Sequence, residues 1–461
     1  MMRTSAWTAA LMVSLPLLAP AVLAEPFRRD QRVLPLPGQL DAVPMVNDNN
    51  PELIEQDGIL FSTFDGDNAT ASINATLDGR FDLFSHHVYA GSDDSLTSTL
   101  WLGLLMAPQG SEPVTVTLLE GSTALSQATE PGQTAAPFLP LPTRMHETTE
   151  TVASGPGSRV AGDLLRRRRA AELTTRSWLL QPGEPTRLLQ LPLPVKGLDP
   201  LLNGRNLQLR LHSSGPVRLA TLAAHGDNHQ PPSEQTWRDL LVRGQLSRKE
   251  HEPTPRGSRG AIVYSRVSGV QIGSRWQARL HDPGQDHVSV DGQAVSWPIS
   301  SLERGTLGTG QVQTAELEAF YPGTAWAAHG NYGVEYDLSL PLRNKRSEPQ
   351  RLLVALESPL KTDRPIGGLR FRSESTGAVM FRGPVEVSGL SDPEGQPLGR
   401  QTVHLVLRQG QEGPPLGELW LQPGEQKQVR IRLIYPADAT PPQVITVRPV
   451  KQSCTRLENC P

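Results

Sequence analysis

Leu100-Trp101-Leu102-Gly103-Leu104 and Leu338-Ser339-Leu340-Pro341-Leu342 place leucine at every second position, about 240 residues apart. Successive side chains of an extended chain point to opposite faces, so each stretch reads as a strand with one apolar face toward a core. The same alternation runs through Val114, Val116 and Leu118, and through Leu207, Leu209 and Leu211. Turn pairs at Pro182-Gly183, Pro322-Gly323 and Pro423-Gly424 punctuate these runs, because proline presets φ and glycine accepts the positive φ of a tight reversal. With 41 glycines and 42 prolines, the chain is richer in turn residues than an average globular protein, yet short of the composition of disordered chains. The fold class that follows is all-β: two related immunoglobulin-like β-sandwich domains with few short helices.

The relation between the halves rests on order as well as spacing. Ser111-Glu112-Pro113 is matched by Ser347-Glu348-Pro349, and Leu180-Gln181-Pro182-Gly183-Glu184 by Leu421-Gln422-Pro423-Gly424-Glu425. His87 with Gly91 is matched by His329 with Gly333, each just upstream of the paired leucine strand. These repeats imply an internal duplication. Helical pattern is scarce: one candidate runs from Gly162 to Thr174 around the arginine run, and a second from Ser233, a plausible N-cap, to Arg243, stopping at Gly244.

The first residues bear on compartment. Arg3 precedes an apolar run from Ala6 to Leu18, followed by Pro20 and small residues at Val22 and Ala24, the pattern of a secretory signal peptide cut after Ala24. No later stretch is apolar for the roughly 20 residues that a membrane helix needs. Two cysteines, Cys454 and Cys460, lie close together at the C-terminus, where a small disulfide loop suits an oxidising compartment. The chain therefore divides into a signal peptide 1–24, an N-terminal β-sandwich 25–228, a polar proline-containing linker with a short helix 229–260, a C-terminal β-sandwich 261–450 and a tail 451–461. A periplasmic, cell-surface or secreted location is expected. With 47 acidic against 44 basic residues and a net charge of −3, no global field favours nucleic acid.

Several segments resemble a family of uncharacterised secreted proteins of cyanobacteria, a domain of unknown function. They are Leu34 to Leu40, Asn50 to Leu53 with Gly58 to Leu60, Gly79 to Phe84 running into His86 and His87, Gly155-Pro156-Gly157-Ser158-Arg159, Gly305-Thr306-Leu307-Gly308-Thr309-Gly310, and Ala328-His329-Gly330-Asn331-Tyr332-Gly333. The resemblance implies an exported or envelope location and brings no activity, ligand or catalytic residue.

Signatures of catalysis are mostly missing: the chain has no Gly-x-Ser-x-Gly elbow, no His-Glu-x-x-His and no Walker loop. Ser358 and Lys361 have the spacing of a serine–lysine pair, but Pro359 interrupts the helix that would align them. The glycines of 305–310 could cradle a phosphate with backbone amides, although tight turning is the simpler use. Asp65, Asp67 and Asn68, and the run Asn47 to Asn50, are expected in loops whose oxygens could take calcium, or merely form solvated turns. His86, His87 and His329 could bind a transition metal if the related halves bring them together, or simply hydrogen-bond loop backbone. Arg166, Arg167, Arg168 and Arg169 could grip an anionic glycan or lipid head group, since each guanidinium binds an oxyanion at two points; a solvated helix face is the plainer alternative. Trp101, Trp178, Trp237, Trp276, Trp297, Trp326 and Trp420 would stack on sugars if exposed and pack the core if not.

Taken together, these features favour a non-enzymatic envelope protein acting as a structural or binding module, without a cofactor. The expected partner is an envelope glycan or another envelope protein, with His87, His329 and Arg166 to Arg169 as candidate ligand residues. An exported hydrolase of glycan or ester using His87, Asp93, Asp94 and His329 is the alternative from another class. A glycan-binding lectin is the third.

Overall fold

The computed structural model describes residues 26–450, apart from 66–71, 93–96, 128–139, 143–150, 154, 250, 261, 264 and 375–376. The signal segment 1–24, Asp67, Asn68, Asp93, Asp94 and the cysteines Cys454 and Cys460 thus lie outside the described residues.

The chain begins with β1 (Pro26–Val33), β2 (Pro44–Leu53), β3 (Gly58–Ser62) and β4 (Leu77–Ala90). The leucine strand β5 (Ser98–Pro108) and β6 (Val114–Leu125) follow, then the short pair β7 (Pro140–Pro142) and β8 (Thr151–Ala153). Helix α1 (Pro156–Leu165) leads to β9 (Ser177–Leu180), β10 (Thr186–Leu193) and the long β11 (Leu202–Asp227). After α2 (Glu234–Arg243) come β12 (Val267–Ile272), β13 (Arg275–Arg279), β14 (Val288–Ser289), β15 (Ala294–Ile299) and β16 (Leu317–Phe320). The second leucine strand is β17 (Glu335–Arg343), followed by β18 (Gln350–Glu357), β19 (Gly368–Arg372) and β20 (Val379–Ser391). The chain ends with β21 (Pro397–Arg408), β22 (Pro415–Leu421), β23 (Gln426–Ile434) and β24 (Gln443–Pro449).

The class is all-β, as the alternation requires. Two large open sheets, of ten and twelve strands, carry almost all the pairing. Among the described residues there are two helices, neither long and apolar enough to cross a membrane. The smaller sheet runs β10-β5-β11-β4-β2-β12-β16, and the larger runs β13-β17-β23-β20-β22-β18-β24-β15-β1-β19. Neither sheet stops at the 229–260 connector. β1 inserts into the larger sheet, parallel to β15 (Gln31 opposite Ala294) and antiparallel to β19 (Phe27 opposite Phe371), while β12 and β16 extend the smaller one.

β11 explains how the smaller sheet encloses a core. Its first half pairs with β4 and β6 and its second half with β5 and β3, the register breaking between Ser213 and Val217. Gly215 and Pro216 lie at that break, where proline cannot donate to a ladder. Leu207, Leu209, Leu211 and Leu219 nevertheless join one buried cluster with Phe81, Leu83, Leu104 and Met106, so the strand bends around that core. In the larger sheet Leu338, Leu340 and Leu342 are all fully buried, packed with Val429, Ile431 and Leu433.

The leucine strands keep matching partners. β5 pairs antiparallel with β10, and β17 with β23. β6 pairs with β9 and β11, and β18 with β22 and β24, all antiparallel. Val114 stands opposite Leu180, and Gln350 stands opposite Leu421.

Helix α2 forms as its sequence predicts: the Ser233 hydroxyl accepts the Thr236 N–H, and Gly244 closes the helix in the left-handed region. Its Trp237 lies so close to β5 that a Cβ on Gly103 would come within 2.9 Å of the indole. The first helix differs from the expected Gly162–Thr174. It begins at Pro156 and stops at Leu165, with Arg166 as its C-cap and Arg167 already at φ +55°. Its start is fixed by Asp438, whose carboxylate accepts the Ser158 N–H at 2.6 Å and the Ser158 hydroxyl at 2.8 Å. Such a cap from 280 residues away leaves no local trace in the sequence. It does explain Gly155-Pro156-Gly157: a Cβ at Gly155 would collide with the Asp438 carboxylate, and one at Gly157 would reach the Ala437 amide at 2.6 Å.

The sheets are joined by a buried ion network. Arg210 on β11 lies between its cross-strand neighbours Asp82 and Glu120, donates to Glu120 at 2.8 Å and reaches Glu335 of β17 at 2.7 Å. Arg432 donates to the other Glu335 oxygen at 2.9 Å and to Glu386 at 2.9 Å. Burial alone would raise the Glu335 carboxyl, but Arg210 and Arg432 outweigh it and hold the group below its usual range. A carboxylate stabilised in this way supports the fold above its unfolded value near 4.5 and loses that contribution as pH falls through the lower folded value. Removing one partner of a buried pair strands the other charge. Arg210→Met is therefore expected to lower the urea-unfolding free energy by about 3 kcal/mol, whereas Arg28→Met, at the exposed Arg28–Asp30 pair, leaves it within error.

Candidate functional site

His86 and His87 are neighbours on β4, and the period of two sends them to opposite faces. His87 is fully buried, its Nε2 3.0 Å from Asp48 Oδ2. The same carboxylate oxygen accepts the Thr221 hydroxyl at 2.6 Å, with the Ser85 hydroxyl at 3.5 Å. An acid, an imidazole and hydroxyls in one cluster suggest acyl-transfer chemistry. Here, however, the hydroxyls serve the carboxylate rather than the imidazole, and all four side chains are sealed inside the smaller sheet, each no more than 5% exposed. The arrangement is a polar brace between β2, β4 and β11, and it corrects the expectation that Asn47 to Asn50 form a loop. Asn47, Asp48 and Asn49 are buried on β2, and Asn47 donates to Gln271 at 2.8 Å.

His86 faces the space between the two sheets. With Asn49, Val88, Leu302, His329, Tyr332, Lys361, Ala437, Thr440 and Pro441 it lines a chamber of about 280 Å³. The histidine that meets His329 is thus His86, one position from the residue that matched it in sequence. His86 and Val88 also line a second cavity of about 560 Å³, toward Arg382 and Asp438. His329 and Leu302 also line a third of about 370 Å³, walled by Trp326, Val263, Val312 and Ala327. The three chambers form a groove along the junction of the sheets.

His329 is held in place by its loop. Asn331, fully buried, donates its backbone N–H to the Ser300 hydroxyl at 2.9 Å and its side-chain amide to Gln313 O at 3.0 Å and the Tyr336 hydroxyl at 2.7 Å. Gly333 has φ +79° and lies against Phe84, where a Cβ would come within 2.7 Å of the ring. Its carbonyl accepts the Gln208 amide at 2.6 Å. Tyr332 stacks on Phe84 and donates its hydroxyl to Ala439 O at 2.9 Å. Ala328 to Gly333 is therefore a clasp between the sheets, and it carries His329.

Burial pushes the His86 imidazole down to about 4, reinforced by His87, and burial does the same to His329. Burial also lowers the Lys361 ammonium, against the pull of Asp363. Both imidazoles are therefore neutral at pH 7. Among the described residues no three His, Cys, Asp or Glu side chains are grouped to hold a metal ion.

The other sequence candidates lie apart from the groove. Arg167, Arg168 and Arg169 are exposed beyond the end of α1, while Arg166 turns back to the Gly162 carbonyl at 2.8 Å. The amides of Gly305 and Thr306 donate to Asp363 at 2.7 and 2.8 Å, so the carboxylate of this chain fills the cradle a phosphate would need. Ser358 is buried at the end of β18 and pairs with Gln411, away from any nucleophilic role. Trp237, Trp276 and Trp297 are core residues, and Trp326 is the tryptophan that lines the groove.

The profile of a family described as "Protein of unknown function (DUF3370)" matches residues 31–449. No curated protein matches the chain.

The depressed imidazoles have a consequence for stability. A histidine whose folded value lies below its unfolded 6.5 contributes fully above pH 6.5 and loses that contribution as pH falls toward about 4, because the unfolded chain binds protons that the native site refuses. Urea midpoints measured from pH 7 to pH 4.5 should therefore fall, and the fall should be visibly shallower in a His86→Asn, His329→Asn double variant.

Proposed function

Since the chain belongs to the DUF3370 family, whose description assigns no activity, we propose that it is an exported, non-enzymatic binding module whose ligand groove is the junction between its two sheets. The observation that carries this reading is the chamber shared by His86 and His329, reached from β4 on one side and from the clasp before β17 on the other. Concave, partly apolar sites with a few convergent polar groups are where proteins hold ligands. Of the acid–imidazole–hydroxyl sets on the described residues, Asp48 with His87 and Thr221 is closed to substrate, and Asp57 with His225 has only the phenol of buried Tyr89, at 3.1 Å, in place of a serine or threonine hydroxyl, which supports binding over hydrolysis. Export is supported by the apolar run after Arg3 and the small residues before Ala24. The expected ligand is an envelope glycan or envelope protein, and Trp326 beside the groove supplies an apolar surface of the kind sugars use.

A duplication of an immunoglobulin-like sandwich is part of the same proposal. Its support is the paired ladders β9·β6·β11 and β22·β18·β24, together with the matched leucine strands. In this view the groove arose where two copies of one unit came to face each other.

Purified protein passed over solubilised envelope fractions and a glycan array should retain a ligand. Ala327→Trp, which fills the groove beside Trp326, should cut that retention at least tenfold. Retention of nothing across a range of ionic strengths would sink the reading, and retention indifferent to the tryptophan would move the site elsewhere.

A further inference from the structure

The middle chamber of the groove has a charge inventory that selects its ligand. Its titratable lining groups are His86, His329, Tyr332 and Lys361, and none of the lining residues is an aspartate or glutamate. The nearby carboxylates are committed elsewhere. Asp438, behind His86, caps α1 through Ser158, and Asp363, which acts on Lys361, is held by the Gly305 and Thr306 amides. Glu303 lies in the neighbouring cavity with Leu302, and Arg382 in the cavity behind His86. His87, on the reverse of β4, is engaged by Asp48. Asn49 and Thr440 complete the polar lining.

The chamber also contains an unspent group: His86 Nδ1 is buried without a hydrogen-bond partner. A buried polar atom left unpaired costs free energy that a ligand can return. A cavity of about 280 Å³ sits at the small end of the range for ligand sites. It has room for a monosaccharide or a smaller molecule.

We propose that this chamber is a carboxylate-binding site in which an anionic group is held between His86, His329 and Lys361, with uptake of a proton by an imidazole. The proposal rests on the groove reading and adds the chemistry of the ligand. Neutral imidazoles become imidazolium beside an anion because the opposite charge favours the protonated form. Binding then gains up to about tenfold for each unit of pH decrease, between the value of the occupied site and that of the empty one. The carboxylate could belong to a free small acid or to the acidic terminus of a glycan, and the choice of probes separates these sources.

Isothermal titration of the full chain with acetate, glucuronate and glucose, at pH 5.5, 6.5 and 7.5 and in buffers of different ionisation enthalpy, tests the site. The expected result is binding of the acids at least tenfold tighter than glucose, strengthening as pH falls, with about one proton taken up. Preference for glucuronate over acetate identifies a sugar acid, and equal affinity a free small carboxylate. His86→Gln should flatten the pH dependence, and Lys361→Met should weaken the acids at least tenfold, each variant being checked for its native circular dichroism. Glucose binding as tight as glucuronate, or acid binding independent of pH, overturns the carboxylate site and leaves the groove reading standing. Absence of binding by all three probes also overturns it, while the groove reading falls only if retention from envelope fractions fails as well.

Discussion

Arg210 and Glu335 meet across the junction of the sheets with the arginine side chain 16% exposed and the glutamate 4% exposed. Such a pair is costly to bury unless further charges and hydrogen bonds surround it. That condition accounts for the positions of Glu120, Arg432 and Glu386 around it. Arg210 and Gln208 lie two residues apart on one face of β11, and between them they grip the Glu335 carboxylate and the Gly333 carbonyl. The clasp bearing His329 is thereby fixed to the smaller sheet by the same two side chains that fasten the larger sheet to it.

Most of the class was legible from the sequence, because alternation and turn chemistry act locally. Leu100 to Leu104 and Leu338 to Leu342 are strands for the reason their spacing implies, and Ser233 with Gly244 bounds α2 by local chemistry alone. The failures share one cause, which is distance along the chain. Asp438 starts α1 from far downstream, moving it toward Pro156 and leaving Arg167 to Arg169 outside the helix. Asn47 to Asn49 resemble a loop by composition, yet Gln271, His87 and Thr221 accept them into a strand interior.

The site was legible in half. Sequence spacing singled out His87 and His329, and His329 does line the groove. Its companion is His86, because a shift of one residue in a strand exchanges faces. A local signal was available: with Phe81 and Leu83 facing a core, odd positions of β4 point inward, and His87 shares that parity. The loop 305–310 does present backbone amides to an anion, and that anion is the Asp363 carboxylate of the same chain.

The position of β1 bears on how the molecule comes into being. Its eight residues lie between strands that begin at Ala294 and Gly368, and Arg29 anchors to Glu357 and Glu412. This strand therefore has no home until β15 and β19, far downstream in the chain, exist. Assembly of the larger sheet is a late, long-range event of the kind that slows folding, and the strand that closes it is among the first to be made.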